Sequence, residues 1–194
     1  MPIDFAAFTA DRRVTARVFL ADDRLSDMLN SVARIVLRDA TVEDLVDGDL
    51  PLTGDVTVPI GEFVVVVGTG PRGGQAPRRR TRQQRVTVGL GRYVVSGAFH
   101  VPADAPALPD VDDSEVLFAG RDLLVPLTGA TLTYDANGSR VTEEHDAVLV
   151  NRARVAWIEV HREVVLATEE DGEASGDGMR RPTYLKDFTN SVAE

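Results

Sequence analysis

The chain repeats part of its own text. Ile35-Val36-Leu37-Arg38-Asp39-Ala40-Thr41-Val42 reads like Val125-Pro126-Leu127-Thr128-Gly129-Ala130-Thr131-Leu132, and the flanking text also rhymes. Val14 to Leu20 precedes the first copy and Val94 to His100 the second, which aligns Phe19 with Phe99. Glu62-Phe63-Val64-Val65-Val66 follows the first copy and Asp146-Ala147-Val148-Leu149-Val150 the second. This predicts a tandem of two related units, and a repeat of this kind constrains the architecture on which any site must sit. Over 194 residues each unit is small. Units of that size hide a modest fraction of their surface, so the two copies are expected to lean on one another or on a partner.

The apolar residues fall in short β-branched runs punctuated by Gly, Pro, Asn and Asp, which is the strand-and-turn signature. Val86 to Leu90 alternates, Tyr93 to Val101 alternates more loosely, and Val155 to Val160 closes the second copy. Asn137-Gly138 tolerates the positive φ angles of a type I′ turn and predicts a hairpin. That reading is preferred to a glycosylation sequon at Asn137-Gly138-Ser139. Helical periodicity is confined to Asp23–Asn30, where Leu25, Met28 and Leu29 have i, i+3, i+4 spacing and Asp22 or Asp23 can cap the first turn. The matching stretch of the second copy, Ala103 to Asp110, is broken by Pro106 and Pro109.

The expected organisation is a first β unit over 1–68, a flexible Arg-rich linker over 69–84, a second β unit over 85–167 and a disordered acidic tail over 168–194. The linker is inferred from Gly68 to Pro77, which has too little apolar surface to order itself. Tyr184-Leu185-Lys186-Asp187-Phe188, within the tail, could dock as a short amphipathic segment. A content of 43% hydrophobic and 27% charged residues is that of an ordinary globular protein. The N-terminus lacks a basic region followed by an apolar stretch, and no apolar run reaches the roughly 20 residues of a membrane helix, so the expected location is cytoplasmic. Without cysteine there is no disulfide and no thiolate metal site.

A net charge of −10 argues against a generic nucleic-acid binder. The cationic charge is nonetheless concentrated. Arg72, Arg78, Arg79, Arg80, Arg82 and Arg85 occupy one stretch without an acidic residue, and they are the candidate anion- or nucleic-acid-binding residues. The competing reading is a solvated linker, masked or not by the acidic tail. The near-exclusive use of Arg, with Lys186 the one lysine, fits the coding bias of a GC-rich bacterial genome. Arg78 and Arg82 have the R-x-x-x-R spacing of PilZ-type cyclic-dinucleotide sites, but the later Asp/Asn-x-Ser-x-x-Gly element is missing.

No set of residues has the spacing of a catalytic or metal centre. His100, His145 and His161 are scattered, whereas zinc sites usually show close ligand pairs. Asp22, Asp23 and Asp27, and Asp110, Asp112 and Asp113, are flanked by loop residues, and the second group lacks the later glycine and glutamate of a calcium loop. Gly68-Thr69-Gly70 follows an apolar strand without the third glycine of a dinucleotide fingerprint. The expectation is therefore a protein that is not an enzyme and has neither cofactor nor metal.

The sequence Arg24-Leu25-Ser26-Asp27-Met28-Leu29-Asn30, then Leu37 to Val42, and the closing Ala147 to Ile158 of the second copy resemble bacterial tandem small β-barrel domains that carry an R-L-S-D-x-L-N element, Sm-like in layout. The resemblance implies a mainly β fold of two tandem, small, five-stranded, strongly bent barrels or sheets of the Sm-like or SH3-like kind, with a short helix in the first. It does not transfer a function, and the glycine-bearing RNA loop of Sm-like proteins is only approximated by Val150-Asn151-Arg152. The expected function is a non-enzymatic binding or scaffold protein acting through surface and strand-edge contacts, with a protein partner or self-association. The alternative is a nucleic-acid or nucleotide binder that uses the arginine arm.

Overall fold

A computed structural model describes residues 2–20, 24–47, 51–69, 81–102 and 120–161. In chain order the strands are β1 (Pro2–Phe8), β2 (Arg12–Phe19), β3 (Arg34–Asp44), β4 (Leu52–Pro59), β5 (Val65–Thr69), β6 (Thr81–Leu90), β7 (Tyr93–Pro102), β8 (Leu124–Ala136), β9 (Ser139–Asn151) and β10 (Trp157–His161). One helix, α1 (Leu25–Asn30), lies between β2 and β3, and single 3-10 turns at Ile60–Glu62 and Arg152–Arg154 precede β5 and β10. The chain is mainly β, as the alternating runs predict.

All ten strands belong to one antiparallel sheet in the order β10-β6-β7-β8-β9-β5-β1-β2-β3-β4. The ladder of the described strands is open, with β10 and β4 at its ends. Within it, the first five strands are ordered β5-β1-β2-β3-β4 and the last five β10-β6-β7-β8-β9. The relative order is the same in both halves, and they meet where β5 pairs with β9.

The repeated text carries a shared backbone feature. Asp39 and Gly129 hold the same place in the two similar stretches of text, and both have positive φ, 48° and 53°. A left-handed residue inside a strand makes a bulge and tightens the local bend. At Asp39 the β3–β4 register slips between Leu37 and Ala40, and near Gly129 the β7–β8 register slips between Ser96 and Ala98. Glycine adopts this geometry freely, and aspartate is among the few other residues that tolerate it. At the hairpin joining β8 to β9, Asn137 and Gly138 have φ of 50° and 75°, the pair of positive values that a type I′ turn requires.

Other expectations are corrected. Phe19 and Phe99 do not hold the same place: Phe19 is 76% exposed, whereas Phe99 packs against the core. The pairings Phe8↔Arg13 and Val14↔Val42 in one half, and Gly89↔Val94 and Val95↔Leu132 in the other, set Val18 and not Phe19 opposite Phe99 in the comparison. The alignment of Glu62–Val66 with Asp146–Val150 is also displaced by a strand, because the former leads into β5 and the latter lies in β9. Both errors arise because valine-rich text matches itself in several registers, whereas the hydrogen-bond ladder admits one. Strand β6 starts at Thr81, inside the expected 69–84 linker. Helix α1 is capped at Arg24, with no side-chain cap bond; Asp22 and Asp23 lie outside the described residues, as do 103–119 and the whole of the expected tail.

Two apolar clusters pack against the sheet. The first-half cluster contains Phe5, Leu29, Leu37 and Phe63, and the second contains Val88, Tyr93, Val95, Leu127 and Leu132. The second also takes Phe8, Leu45, Val64, Val65 and Val67 from the first half. Neither half's core is therefore assembled from its own strands alone.

The two positive-φ positions predict different mutational costs. A Cβ at Gly129 meets nothing within 4 Å, so Gly129→Ala tests the backbone alone and is expected to cost about 1–2 kcal/mol. Asp39→Gly removes the same strain and is expected to stay within about 0.5 kcal/mol of the parent. Urea unfolding checks both; equal losses at the two sites would contradict the shared left-handed backbone at Asp39 and Gly129.

Candidate functional site: an internal junction and two free edges

The junction between the halves rests on a short ladder. β5 and β9 pair through Val65↔Val150, Val66↔Leu149 and Val67↔Val148. Asn151, at the end of β9, extends it: its backbone N–H donates to the Val64 carbonyl at 3.0 Å and its Nδ2 to the Phe63 carbonyl at 2.7 Å. Its Oδ1 accepts from the Ala153 N–H at 3.0 Å, which starts the 3-10 turn before β10. The side chain is fully buried, and a buried amide is tolerated because its polar atoms are matched.

Aromatic side chains close the junction. Phe8 of β1 is buried against Tyr93 and Tyr134, with ring centroids 5.7 Å and 5.1 Å away. The Tyr93 hydroxyl donates to the Thr9 carbonyl at 2.6 Å, and the hairpin tip donates from the Asn137 N–H to the Leu45 carbonyl at 3.0 Å. Above Phe8 the Arg13 guanidinium lies 5.6 Å from the ring centroid and 3.8 Å from Glu143. Glu143 also accepts from the Tyr134 hydroxyl at 2.9 Å and faces His145 Nε2 at 3.1 Å. Burial, and then the hydrogen bond to Glu143, push the Tyr134 phenol up to about 12; burial raises Tyr93 further.

Helix α1 is tied to the other half as well. Asn30 donates from Nδ2 to the Leu124 carbonyl at 2.9 Å and accepts from the Leu124 N–H at 2.9 Å. Its carboxamide thus pairs with β8 as a strand residue would. Leu29 is buried beside it, and Leu25 and Met28 pack against the same cluster. The terminal asparagine of the R-L-S-D-x-L-N element is a clamp, a role its text did not disclose.

The residues singled out for chemistry are scattered by the fold. His100 makes contacts with Thr128 Oγ1 at 2.7 Å and Thr81 Oγ1 at 3.2 Å, and His161 with Thr87 Oγ1 at 2.7 Å. Among the described residues no three His, Asp or Glu side chains gather as a metal site. Asp44 is held below the usual carboxylate range by the N–H groups of Asp47 and Val46, a turn staple after β3. Of the arginine candidates, Arg82 and Arg85 lie on β6, three residues apart and so on opposite faces of the strand. Arg72, Arg78, Arg79 and Arg80 lie outside the described residues, as do Asp110, Asp112 and Asp113. No helix among the described residues is long and apolar enough to cross a membrane.

Two surfaces remain. The edge strand β10 carries Trp157, 48% exposed, lying over Gly89 of β6, where an added Cβ would overlap the indole. At the opposite end of the sheet, an open groove of about 540 Å³ has Val14, Val42, Val56 and Val58 in its wall, with Thr9, Asp11, Arg12, Asp55 and Glu62 around it. Leu52, 73% exposed, lies at its lip. The groove is apolar with an ionic rim, a lining suited to holding a side chain rather than to moving protons. Comparison with protein-family models, with curated proteins and with solved structures finds no match for this chain.

Two measurements check the junction. Asn151→Ala leaves the buried Phe63 carbonyl without its donor and is expected to cost about 1–3 kcal/mol in denaturant unfolding, against almost nothing if the amide were incidental. The Tyr134 phenol, at 10.0 when unperturbed and about 12 in the fold, contributes stability that is complete below pH 10 and disappears as pH rises through 12. Tyr134→Phe should flatten that alkaline decline, and an unchanged pH profile would contradict the assignment.

Proposed function

We propose that the protein is a non-enzymatic binding or scaffold module built from two related five-stranded units of the small-barrel, Sm-like kind, and that it acts through the free edges of its sheet. The supporting observation is the strand order, β5-β1-β2-β3-β4 followed in kind by β10-β6-β7-β8-β9. The 3-10 turn before the last strand of each half and the positive φ at Asp39 and Gly129 agree with it. In such an arrangement β4 is the counterpart of β9 and β10 the counterpart of β5. The two strands at the ends, which have one partner each among the described residues, are then of the same two kinds that pair in the middle.

Unpaired strand edges present rows of N–H and C=O groups that take up further strands. A copy of this chain offers a complementary edge at each end. Because β4 and β10 are different surfaces, the contact is head-to-tail, the kind that generates rings or open filaments. Light scattering coupled to size-exclusion chromatography of the full chain is expected to show a mass above that of one chain, rising with concentration. A strict monomer at every concentration would refute self-association. Nucleic acid travelling with the peak, and lost when Arg82 and Arg85 are neutralised, would favour the arginine arm as the working surface instead.

A further inference from the structure

We infer that the groove beside β4 is the receptor for Trp157 of a second copy, so that the side chain on the β10 edge plugs into the first half of its neighbour. The inference rests on the edge-pairing reading above and identifies the contact that would drive it. Counterparts of the groove wall follow from the ladders. Val14↔Val42 corresponds to Val95↔Leu132, Leu37↔Val56 to Leu127↔Val148, and Ile35↔Val58 to Val125↔Val150. Hence Val14, Val42, Val56 and Val58 occupy the places of Val95, Leu132, Val148 and Val150. In the second half those four lie in the cluster that encloses Phe8. In the first half the same four pack in or against that half's own cluster, with Val14 and Val58 buried, and also line the open groove.

The plug also has a counterpart. Phe8 pairs with Val65 on the inner edge, and the Val64 N–H donates to the Phe8 carbonyl at 2.7 Å. On the outer edge Gly89 pairs with Trp157, and the Ala156 N–H donates to the Gly89 carbonyl at 2.8 Å. One slot holds Phe8 beside a valine, the other a glycine beneath an indole. In both, one large aromatic stands on the face that leads away from its own half. Val65 and Val67, the counterparts of Trp157 and Glu159, pack into the neighbouring half's core, whereas Ile158 packs into its own as Val66 does. An edge that translates onto the middle of the sheet therefore carries its aromatic into a groove whose counterpart is occupied by one.

The outer contact is weaker than the inner one for a definite reason. Pro59 occupies the place of Asn151, so the bond that the Asn151 N–H makes to Val64 has no equivalent, nor does the carboxamide. The association is thus reversible and depends on concentration.

Trp157 is the single tryptophan, so its emission reports the contact directly. On raising the concentration of the full chain, the emission should shift to the blue in step with the mass from light scattering. Trp157→Ala should weaken association by at least about thirtyfold, the loss given by truncating a buried aromatic anchor. Leu52→Asp, at an exposed position distant from β10, should abolish both the mass increase and the blue shift. Mixed together, the two variants should form a one-to-one complex and nothing larger, since each keeps one good edge. Association that survives Trp157→Ala with its mass unchanged would overturn the plug while leaving edge pairing intact. No association of the parent chain would overturn both. An emission that stays constant while the mass rises would mean that the indole remains over Gly89 and does not enter the groove, and would also refute the inference.

Discussion

The two runs of five strands join into one sheet at three residue pairs, extended by one asparagine. The β5–β9 ladder is the shortest link in the middle of the ladder's order, and by itself a ladder of that length is marginal. It persists because Asn151 carries its pattern of hydrogen bonds past the last paired residue and because Phe8 is buried between Tyr93 and Tyr134. Full burial of a phenylalanine contributes about 1.5–3 kcal/mol, and favourable ring pairs add about 0.5–1.5 kcal/mol each. The polar contacts of Glu143, Arg13 and His145 lie over that aromatic plug and complete its cover.

That construction fits the groove in the first half, whose counterpart residues in the second lie in the cluster that contains Phe8. In the second half, Phe8, Leu45, Val64, Val65 and Val67 of the first join the cluster that contains Val95, Leu132, Val148 and Val150. In the first half, their counterparts Val14, Val42, Val56 and Val58 pack in or against that half's own cluster and line the groove. Under the proposed reading of two related units, the end strands and the groove have one origin: each unit offers a receptor and a plug, and one of each is used within the chain.

The strand content, the type I′ hairpin at Asn137-Gly138 and the short helix at Leu25–Asn30 were legible in the sequence because each depends on local chemistry: β-branched runs, residues that tolerate positive φ, and i, i+3, i+4 spacing. The core text Ile35–Val42 and Val125–Leu132 was aligned in the register that the bulge positions support, since Asp39 and Gly129 fall together. What was misread depends on pairing across distance. Valine-rich segments slid by one residue at Phe19 and by one strand at Glu62–Val66, because nothing in a single sequence states which strand lies opposite. The roles of Asn151 and Asn30 went unread for the same reason: their partners, Phe63 and Leu124, are remote in the chain. Attention went instead to histidines that the fold engages with threonines and a glutamate, and to arginines of which β6 carries only Arg82 and Arg85.

The central claim is that the middle of the sheet and its two ends are the same kind of contact, once made and once still open. Hydrogen–deuterium exchange followed as a function of protein concentration tests it most directly. The amides of β5 and β9 should be protected even in dilute solution, while those facing outward on β4 and β10 exchange quickly and gain protection together as concentration rises. Protection of one edge without the other, or β5 amides exchanging as fast as the edges, would contradict it.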